Sequence, residues 1–361
     1  MARVLTEDSR ELVLELFSTQ QDDRRIVARA PLEMADLLAV RDETWWTGVR
    51  GGMLEPRLEN HELRVLPGEE HSGGRLQGYT LEMRDGPRRY RQSFSIHSLY
   101  RVAQRKTAEL LAQKVPGCEE PLGYHLAAVP AEGEAPPAAA SLTKAVQHRR
   151  PLVFEVASLA DYMRRSEPLR GKSAPPEEIE PRPMQIFIPD DVWEHGTVEA
   201  YRGDKNESAA IFTGRLLRDT DSAEVFAVFD ACLEAVQAVE QELSVEFTGE
   251  TWSRIGGMLD LRRRRGHPLE IILGSVHRHP FLPSADAEGR RTCEACSVAK
   301  YCSRTTASPS SDDFEWHRCV FAGQPWATLT IHGYTGREEP DFRMYTLADG
   351  AFREMTPRRL K

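Results

Sequence analysis

Two histidines, His277 and His279, follow the apolar run Leu269-Glu270-Ile271-Ile272-Leu273 and stand directly before Pro280. The run reads as a buried strand. Alternate residues of a strand share a face, so the two imidazoles should project together near its end, and Pro280 should end the ladder there. Converging imidazoles are the start of a zinc site. A catalytic zinc takes three protein ligands and leaves one position for water. By themselves two histidines at this spacing also suit a surface or a core edge, so a third ligand is sought downstream. Pro309-Ser310-Ser311-Asp312-Asp313 offers a Ser-x-x-Asp arrangement, Ser310 with Asp313. Asp286, in Pro283-Ser284-Ala285-Asp286, is the rival ligand. It lies close to His279 and far from the next strand, and Asp313 is preferred.

The elements that must position these residues can be read on both sides. Met184 to Pro189 reads as a strand and Asp190 to about Tyr201 as a helix. Glu207 opens a second strand, Glu207-Ser208-Ala209-Ala210-Ile211-Phe212-Thr213-Gly214. Ser222 to about Leu243 reads as a long buried helix, from the spacing of Val225, Phe226, Val228, Phe229, Cys232, Leu233, Val236 and Val239. Cys232 is then a core residue. Val245-Glu246-Phe247 is a short strand, and a helix beginning at Thr251 leads into the histidine strand. Trp326 to Ile331 is a strand. Phe342–Leu347 and Phe352–Met355 form a terminal hairpin around Asp349-Gly350.

This order of strand, helix, Glu-x6-Gly, strand, long helix, strand, H-x-H-P, Ser-x-x-Asp and strand resembles the JAMM (MPN+) zinc metalloprotease family over about residues 183 to 355. The resemblance implies an MPN-type domain, a mixed β-sheet flanked by helices. It also implies one catalytic zinc on His277, His279 and Asp313, with Glu207 as the general base that activates the zinc-bound water. Ser310 would help hold the oxyanion. The motif His277-Arg278-His279-Pro280 matches. Ala210 stands where a small glycine is often found, and the interval from His279 to Asp313 is much longer than the family's, so an insertion at about 283–309 must loop out. The implied activity is a zinc-dependent (iso)peptidase that cleaves after the C-terminal tail of a ubiquitin-like β-grasp protein. Its partners would be that protein or its conjugates, beside ubiquitin-like activating and conjugating enzymes. A non-catalytic MPN scaffold that binds partners is the alternative; scaffold members usually lack ligands. A metal-dependent nuclease is disfavoured by the acidic charge.

Four of the six cysteines, Cys293, Cys296, Cys302 and Cys319, lie within or just beyond the insertion. Cys293-x-x-Cys296 is a metal-knuckle spacing, and Cys302 and Cys319 could complete a tetrahedral thiolate site for a second, structural zinc. His317 could replace one sulfur. Unpaired thiols are the other reading. A Gly-, Ser- and Thr-rich insertion could hardly pack a core, so a metal would give it a reason to be ordered.

Composition bounds the rest. The 361 residues suggest two domains, with 40% hydrophobic and 29% charged residues as in a soluble globular protein. The formal charge of −9 argues against a general nucleic-acid binder. Arg262-Arg263-Arg264-Arg265 reads as a solvated helix end, favourably placed on the macrodipole. No apolar run is long enough to span a bilayer. Acidic residues at Glu7, Asp8 and Glu11 stand where a signal peptide would be apolar, which leads to a cytoplasmic expectation.

Residues 1–129 read as a separate α+β domain of no recognised family. Arg10 to Phe17 is a strand or a short helix. Gln77–Met83 and Tyr90–Ile96 form a hairpin around Asp85-Gly86. Leu99 to Gln113 is a helix, and Tyr124–Val129 a strand. Trp45 and Trp46 are core aromatics beside a glycine turn. Residues 130–182 read as a linker region carrying a short strand and helix at Pro151–Met163 that could complete the first domain or buttress the second. Residues 183–361 are the zinc domain.

Overall fold

The computed structural model describes residues 3–6, 10–18, 26–56, 61–71, 75–113, 122–130, 152–172, 184–202, 206–241, 244–280, 305–321, 323–335, 339–348 and 350–361. Contacts divide the chain into two units, Met1–Leu152 with Ala348–Ala351, and Val153–Leu347 with Phe352–Lys361.

The first unit contains strands β1 (Arg10–Ser18) and β2 (Ile26–Pro31) and helix α1 (Leu38–Arg50). Then follow β3 (Glu62–Pro67), β4 (Glu70–His71), β5 (Arg75–Leu76), β6 (Gly78–Asp85) and β7 (Arg88–Ser95), helix α2 (Tyr100–Ala112) and β8 (Leu122–Pro130). They form a five-stranded sheet, β2-β1-β8-β5-β4, and a three-stranded sheet, β3-β6-β7. Arg10–Phe17 is thus a strand, its core face set by Leu12 and Leu14 packed with Leu81, Phe94 and Leu126. The hairpin turns at Gly86, whose φ of +57° is the left-handed region that a two-residue turn needs. Trp45 and Trp46 are buried, but on α1; the glycine turn, Gly51-Gly52, lies at its end.

The second unit begins with β9 (Glu155–Ala157), α3 (Leu159–Arg164) and β10 (Ser166–Pro168). β9 pairs with Leu217–Asp219 and β10 with Arg358–Leu360. The strand and helix expected within a linker therefore belong to the second unit, whose boundary moves back from 183 to about Val153. The reason is packing: Leu159 and Tyr162 of α3 cover Phe187 and Phe226.

After β11 (Ile186–Pro189), α4 (Asp190–Tyr201) and β12 (Ala209–Asp219) comes the main departure from the sequence reading. The stretch read as a long helix holds a strand, β13 (Val225–Glu234). Its first five residues are all buried. Phe226 packs on Phe187 and Tyr162, and Phe229 packs on Phe212. A strand covered on both faces needs no alternation, and its continuous apolar run mimics a buried helix. Cys232 is buried as expected, but on this strand.

The chain continues through the short pair β14 (Val239–Glu240) and β15 (Val245–Glu246), then α5 (Gly249–Arg264), β16 (Ile271–Arg278), α6 (Ser311–Val320), β17 (Thr328–Tyr334), β18 (Pro340–Ala348), β19 (Ala351–Met355) and β20 (Arg358–Leu360). One sheet runs β10-β20-β11-β13-β12-β16-β17-β18-β19, with β9 added beside β12. β16 lies antiparallel to β12 and parallel to β17. Helix α4 covers one face, with Trp193 against His332 and Phe342. On the other face α5 brings Ile255 and Leu259, and α6 brings Trp316 and Phe321, onto Ala209, Ile211 and Leu233. Burying each large apolar side chain contributes roughly 1.5–3 kcal/mol.

Helix α5 starts on Thr248, whose hydroxyl accepts the Thr251 N–H at 3.1 Å. Arg262 and Arg263 in its last turn hold Glu270, so the arginine run is a helix end. No helix among the described residues is long and apolar enough to cross a membrane.

Gly214, seven residues after Glu207, sits at a bulge between β12 and β13. A Cβ there would run into the Val228 carbonyl and meet Phe229 Cα at 2.8 Å, both backbone atoms that cannot turn aside. Gly214→Ala should therefore cost about 1–3 kcal/mol, as overpacking does. Denaturant unfolding should register it as a lower midpoint at unchanged slope.

Candidate metal centre

His277 and His279 do share one face at the end of β16. Their Nε2 atoms stand 3.1 Å apart. Helix α6 delivers Asp313 between them, with Oδ1 at 3.0 Å from His277 Nε2 and Oδ2 at 3.2 Å from His279 Nε2. Among the described residues this is the group of His, Cys, Asp or Glu able to hold a metal ion, its ligand atoms all within 4.8 Å of one another. Tetrahedral zinc with bonds of 2.0–2.1 Å needs ligand atoms about 3.3 Å apart. The separations lie near that edge, with the two carboxylate oxygens each facing one ring, and the donor types are those zinc takes. His279 Nδ1 lies 2.8 Å from the Thr306 carbonyl oxygen, to which it donates. That fixes the tautomer and leaves Nε2 free to bind metal.

Ser310 and Asp313 form the capping box of α6. Ser310 Oγ accepts the Asp313 N–H at 3.1 Å and donates to Asp313 Oδ2 at 2.8 Å, and Asp313 Oδ2 accepts the Ser310 N–H. The Ser-x-x-Asp spacing is therefore a helix-start signal as well as a chemical one. Asp313, not Asp286, is the aspartate brought to the histidines; Asp286 lies outside the described residues.

The long interval between the second and third ligands is closed by contacts the sequence did not reveal. Thr306 N–H donates to the Tyr334 carbonyl at 2.9 Å, and Tyr334 N–H donates to Thr306 Oγ1 at 2.8 Å. The Tyr345 hydroxyl donates to the Ala307 carbonyl at 2.8 Å. Gly333 lets this segment lie close, since a Cβ there would meet Ala307 N and Thr306 Oγ1 at 2.5 Å. Main-chain acceptors such as Thr306 leave no residue-type signal. Gly333 and Tyr345 look like ordinary strand residues until their neighbours are known.

Glu207 stands just before β12 and is buried. It lines the same cleft as the histidines, Ser310 and Asp313, a space of about 470 Å³. Val245, Phe247 and Trp316 form its apolar wall. Ser275 lies on its floor, two residues before His277, its buried hydroxyl without a hydrogen-bond partner among the described residues. Sequence reading missed Ser275, although its spacing from His277 was the available signal.

The electrostatics follow from burial and proximity. Burial raises the Glu207 carboxyl above its ordinary value, against the opposing pull of His277 and His279. Burial also opposes ionisation of Asp313, but hydrogen bonds from His277 and His279 outweigh it and hold the carboxyl far below the usual carboxylate range. For His279 burial favours the neutral ring, yet the Asp313 hydrogen bond and charge prevail and raise its pKa above 6.5.

Cys293, Cys296 and Cys302 lie outside the described residues. Cys319 is exposed on α6. His317 is not available to join it: its ring is buried against Phe321 and Phe352, and residues two apart on a helix point to different faces.

No protein-family model matches the chain, and no curated protein matches it. Among solved structures, protein DSY2949 from Desulfitobacterium hafniense, determined in solution, is similar at 16% identity. The match covers 49% of this chain and 94% of that one, with a TM-score of 0.32, a level that carries no argument about function.

The shifted groups make a paired prediction for pH. In metal-free protein the raised His279 value stabilises below 6.5 and is lost as pH climbs through it. The lowered Asp313 value stabilises above 3.8 and is lost as pH falls. Thermal unfolding of stripped protein should therefore show this contribution at mildly acid pH and lose it towards alkaline pH. Zinc affinity, measured against a coloured chelator, should move the other way and rise with pH, because both imidazoles must be unprotonated to ligate.

Proposed function

We propose that the second unit is a JAMM/MPN+-type zinc metallopeptidase domain and that the chain is a cytoplasmic zinc-dependent (iso)peptidase. Its substrate would be the tail of a ubiquitin-like β-grasp protein, in a fusion or a conjugate. The observation that carries this reading is the convergence of His277, His279 and Asp313 on one cleft that Glu207 also lines. The order of elements supports it, with the base before β12, two ligands at the end of β16 and the third at the start of α6.

His277, His279 and Asp313 would hold a zinc ion, which would supply Lewis acidity towards water and the scissile carbonyl. Glu207 takes a proton from the attacking water and passes it to the leaving amine. Its raised pKa suits a group that must both accept and release a proton. Ser310 lines the cleft beside Asp313; its hydroxyl, which donates to Asp313 Oδ2 in the capping box, would have to turn from that bond to reach the developing oxyanion. Val245, Phe247 and Trp316 exclude water and seat the apolar part of the substrate. A second zinc on Cys293, Cys296, Cys302 and Cys319 belongs to the same proposal, and metal analysis of pure protein separates one ion per chain from two.

The test uses ubiquitin joined through its C-terminus to a fluorescent lysine peptide. Zinc-loaded protein should cleave it, and a chelator should stop the reaction. Glu207→Gln should keep its zinc and lose at least ~100-fold in turnover, the scale of losing a positioned base. A parent that binds this substrate and leaves it intact would favour the non-catalytic scaffold. A Glu207→Gln variant as fast as the parent would remove Glu207 from the mechanism.

A further inference from the structure

Arg278 stands between the two histidines and, by strand alternation, points to the opposite face of the sheet, towards α4. It is buried, 4% exposed, although a guanidinium keeps its charge at any working pH. Two of its contacts bear on the site. Its guanidinium carbon lies 5.4 Å from the centroid of the Tyr201 ring, a cation–π arrangement at the end of α4. Its Nη2 donates to the Asn206 carbonyl oxygen at 2.7 Å.

That carbonyl belongs to the peptide unit that joins Asn206 to Glu207. The other end of the same unit is also held, because Glu207 N–H donates to the Gln241 carbonyl at 2.7 Å. Immediately after it, Ser208 Oγ donates to the Ala200 carbonyl at 2.7 Å. The backbone that presents the Glu207 carboxylate is therefore gripped on each side, and one grip comes from the histidine strand itself. Tyr201 is fixed in turn. Its hydroxyl donates to the Gly333 carbonyl at 3.2 Å, and its ring meets His332 edge-on at 5.5 Å. Gly333 is the residue against which Thr306 and Ala307 lie.

The geometry points to Arg278 as a positioning residue: it ties the peptide before Glu207 to the strand that carries His277 and His279, and so sets the base at a fixed distance from the ligands. This rests on the proposed function. A base displaced by about 1 Å loses roughly 100-fold in rate, which is the scale at stake. The ligands themselves do not depend on this grip, since His279 is held by Thr306 and Asp313 by Ser310.

The experiment compares zinc-loaded full-length parent, Arg278→Met and Arg278→Lys. It measures zinc content, kcat and KM on the ubiquitin–lysine peptide, and hydrogen exchange of the Glu207 amide. Arg278→Met should keep zinc, hold KM within about twofold and lose roughly 100-fold in kcat. Arg278→Lys, with a single nitrogen on a shorter stem, should fall between the two. Exchange at Glu207 should quicken in the reverse order. Parental kcat and exchange in Arg278→Met would overturn the proposal. Loss of zinc in step with activity would overturn it too, because Arg278 would then be holding the ligand strand rather than the base. Should Arg278→Met fail to fold, Arg278→Lys decides, and parental values in both measurements sink the idea. If the parent cleaves nothing, the peptidase reading fails by itself. Exchange then tests the grip alone, faster in the variants if it exists and unchanged if it does not.

Discussion

The register of β16 against its two neighbours is the constraint on which the rest of the site depends. Ala209 pairs with His277 in the antiparallel ladder with β12, and His277 pairs with Ile331 in the parallel ladder with β17. Two residues before Ala209, the same ladder direction leads to Glu207 and, two residues after His277, to His279. Glu207 and the two histidines thus come to one end of the sheet on one face. A slip of one residue would turn both histidines towards α4 and bring Arg278 into the cleft. The apolar core on the ligand face, with Ile211 from β12 and Leu329 and Ile331 from β17, makes that slip costly.

Buried charge is the second consequence. Asp313 and Glu207 are both carboxyls removed from water, and their surroundings drive them in opposite directions. Asp313 has two imidazoles within hydrogen-bond reach and stays ionised. Glu207 has the more distant pull of the same rings and of Arg278, and burial dominates. Two carboxyls whose environments separate their pKa values can take different roles, one as a ligand and one as a proton carrier. Behind the sheet, Arg278 brings a permanent cation that meets backbone and an aromatic ring rather than the cleft. Because it sits on the far face, it can hold the peptide before Glu207 without entering the cleft.

How far the site could be read in advance depends on whether a residue's signal is local. The histidine pair was legible because strand alternation and a following proline are properties of neighbouring residues. Ser310 and Asp313 were legible for a related reason: a capping box has its own short pattern, and here Asp313 belongs both to the helix start and to the group with His277 and His279. The strand β13 was misread because burial on both faces erases alternation, so Val225 to Phe229 look like part of a helix. The strand β9 and helix α3 were put in a linker because proline-rich sequence surrounds them. Their pairing with β12 and their cover over Phe226 are contacts with distant residues.

The sequence by itself determined the chemistry on offer: two imidazoles on one strand face, a carboxylate at a helix start and a glutamate at the head of a buried strand. These are choices of residue type at short spacing, and backbone periodicity turns them into shared faces. Only the tertiary structure decided that they meet. The return of Asp313 across the long interval is made by Thr306 on Tyr334, by the space at Gly333 and by the Tyr345 hydroxyl on Ala307. The pinning of the peptide before Glu207 is made by Arg278 and by the Gln241 carbonyl. Such contacts join main-chain atoms and side chains far apart in the chain. Neither composition nor periodicity encodes them, and they exist only once the sheet has brought its strands into register.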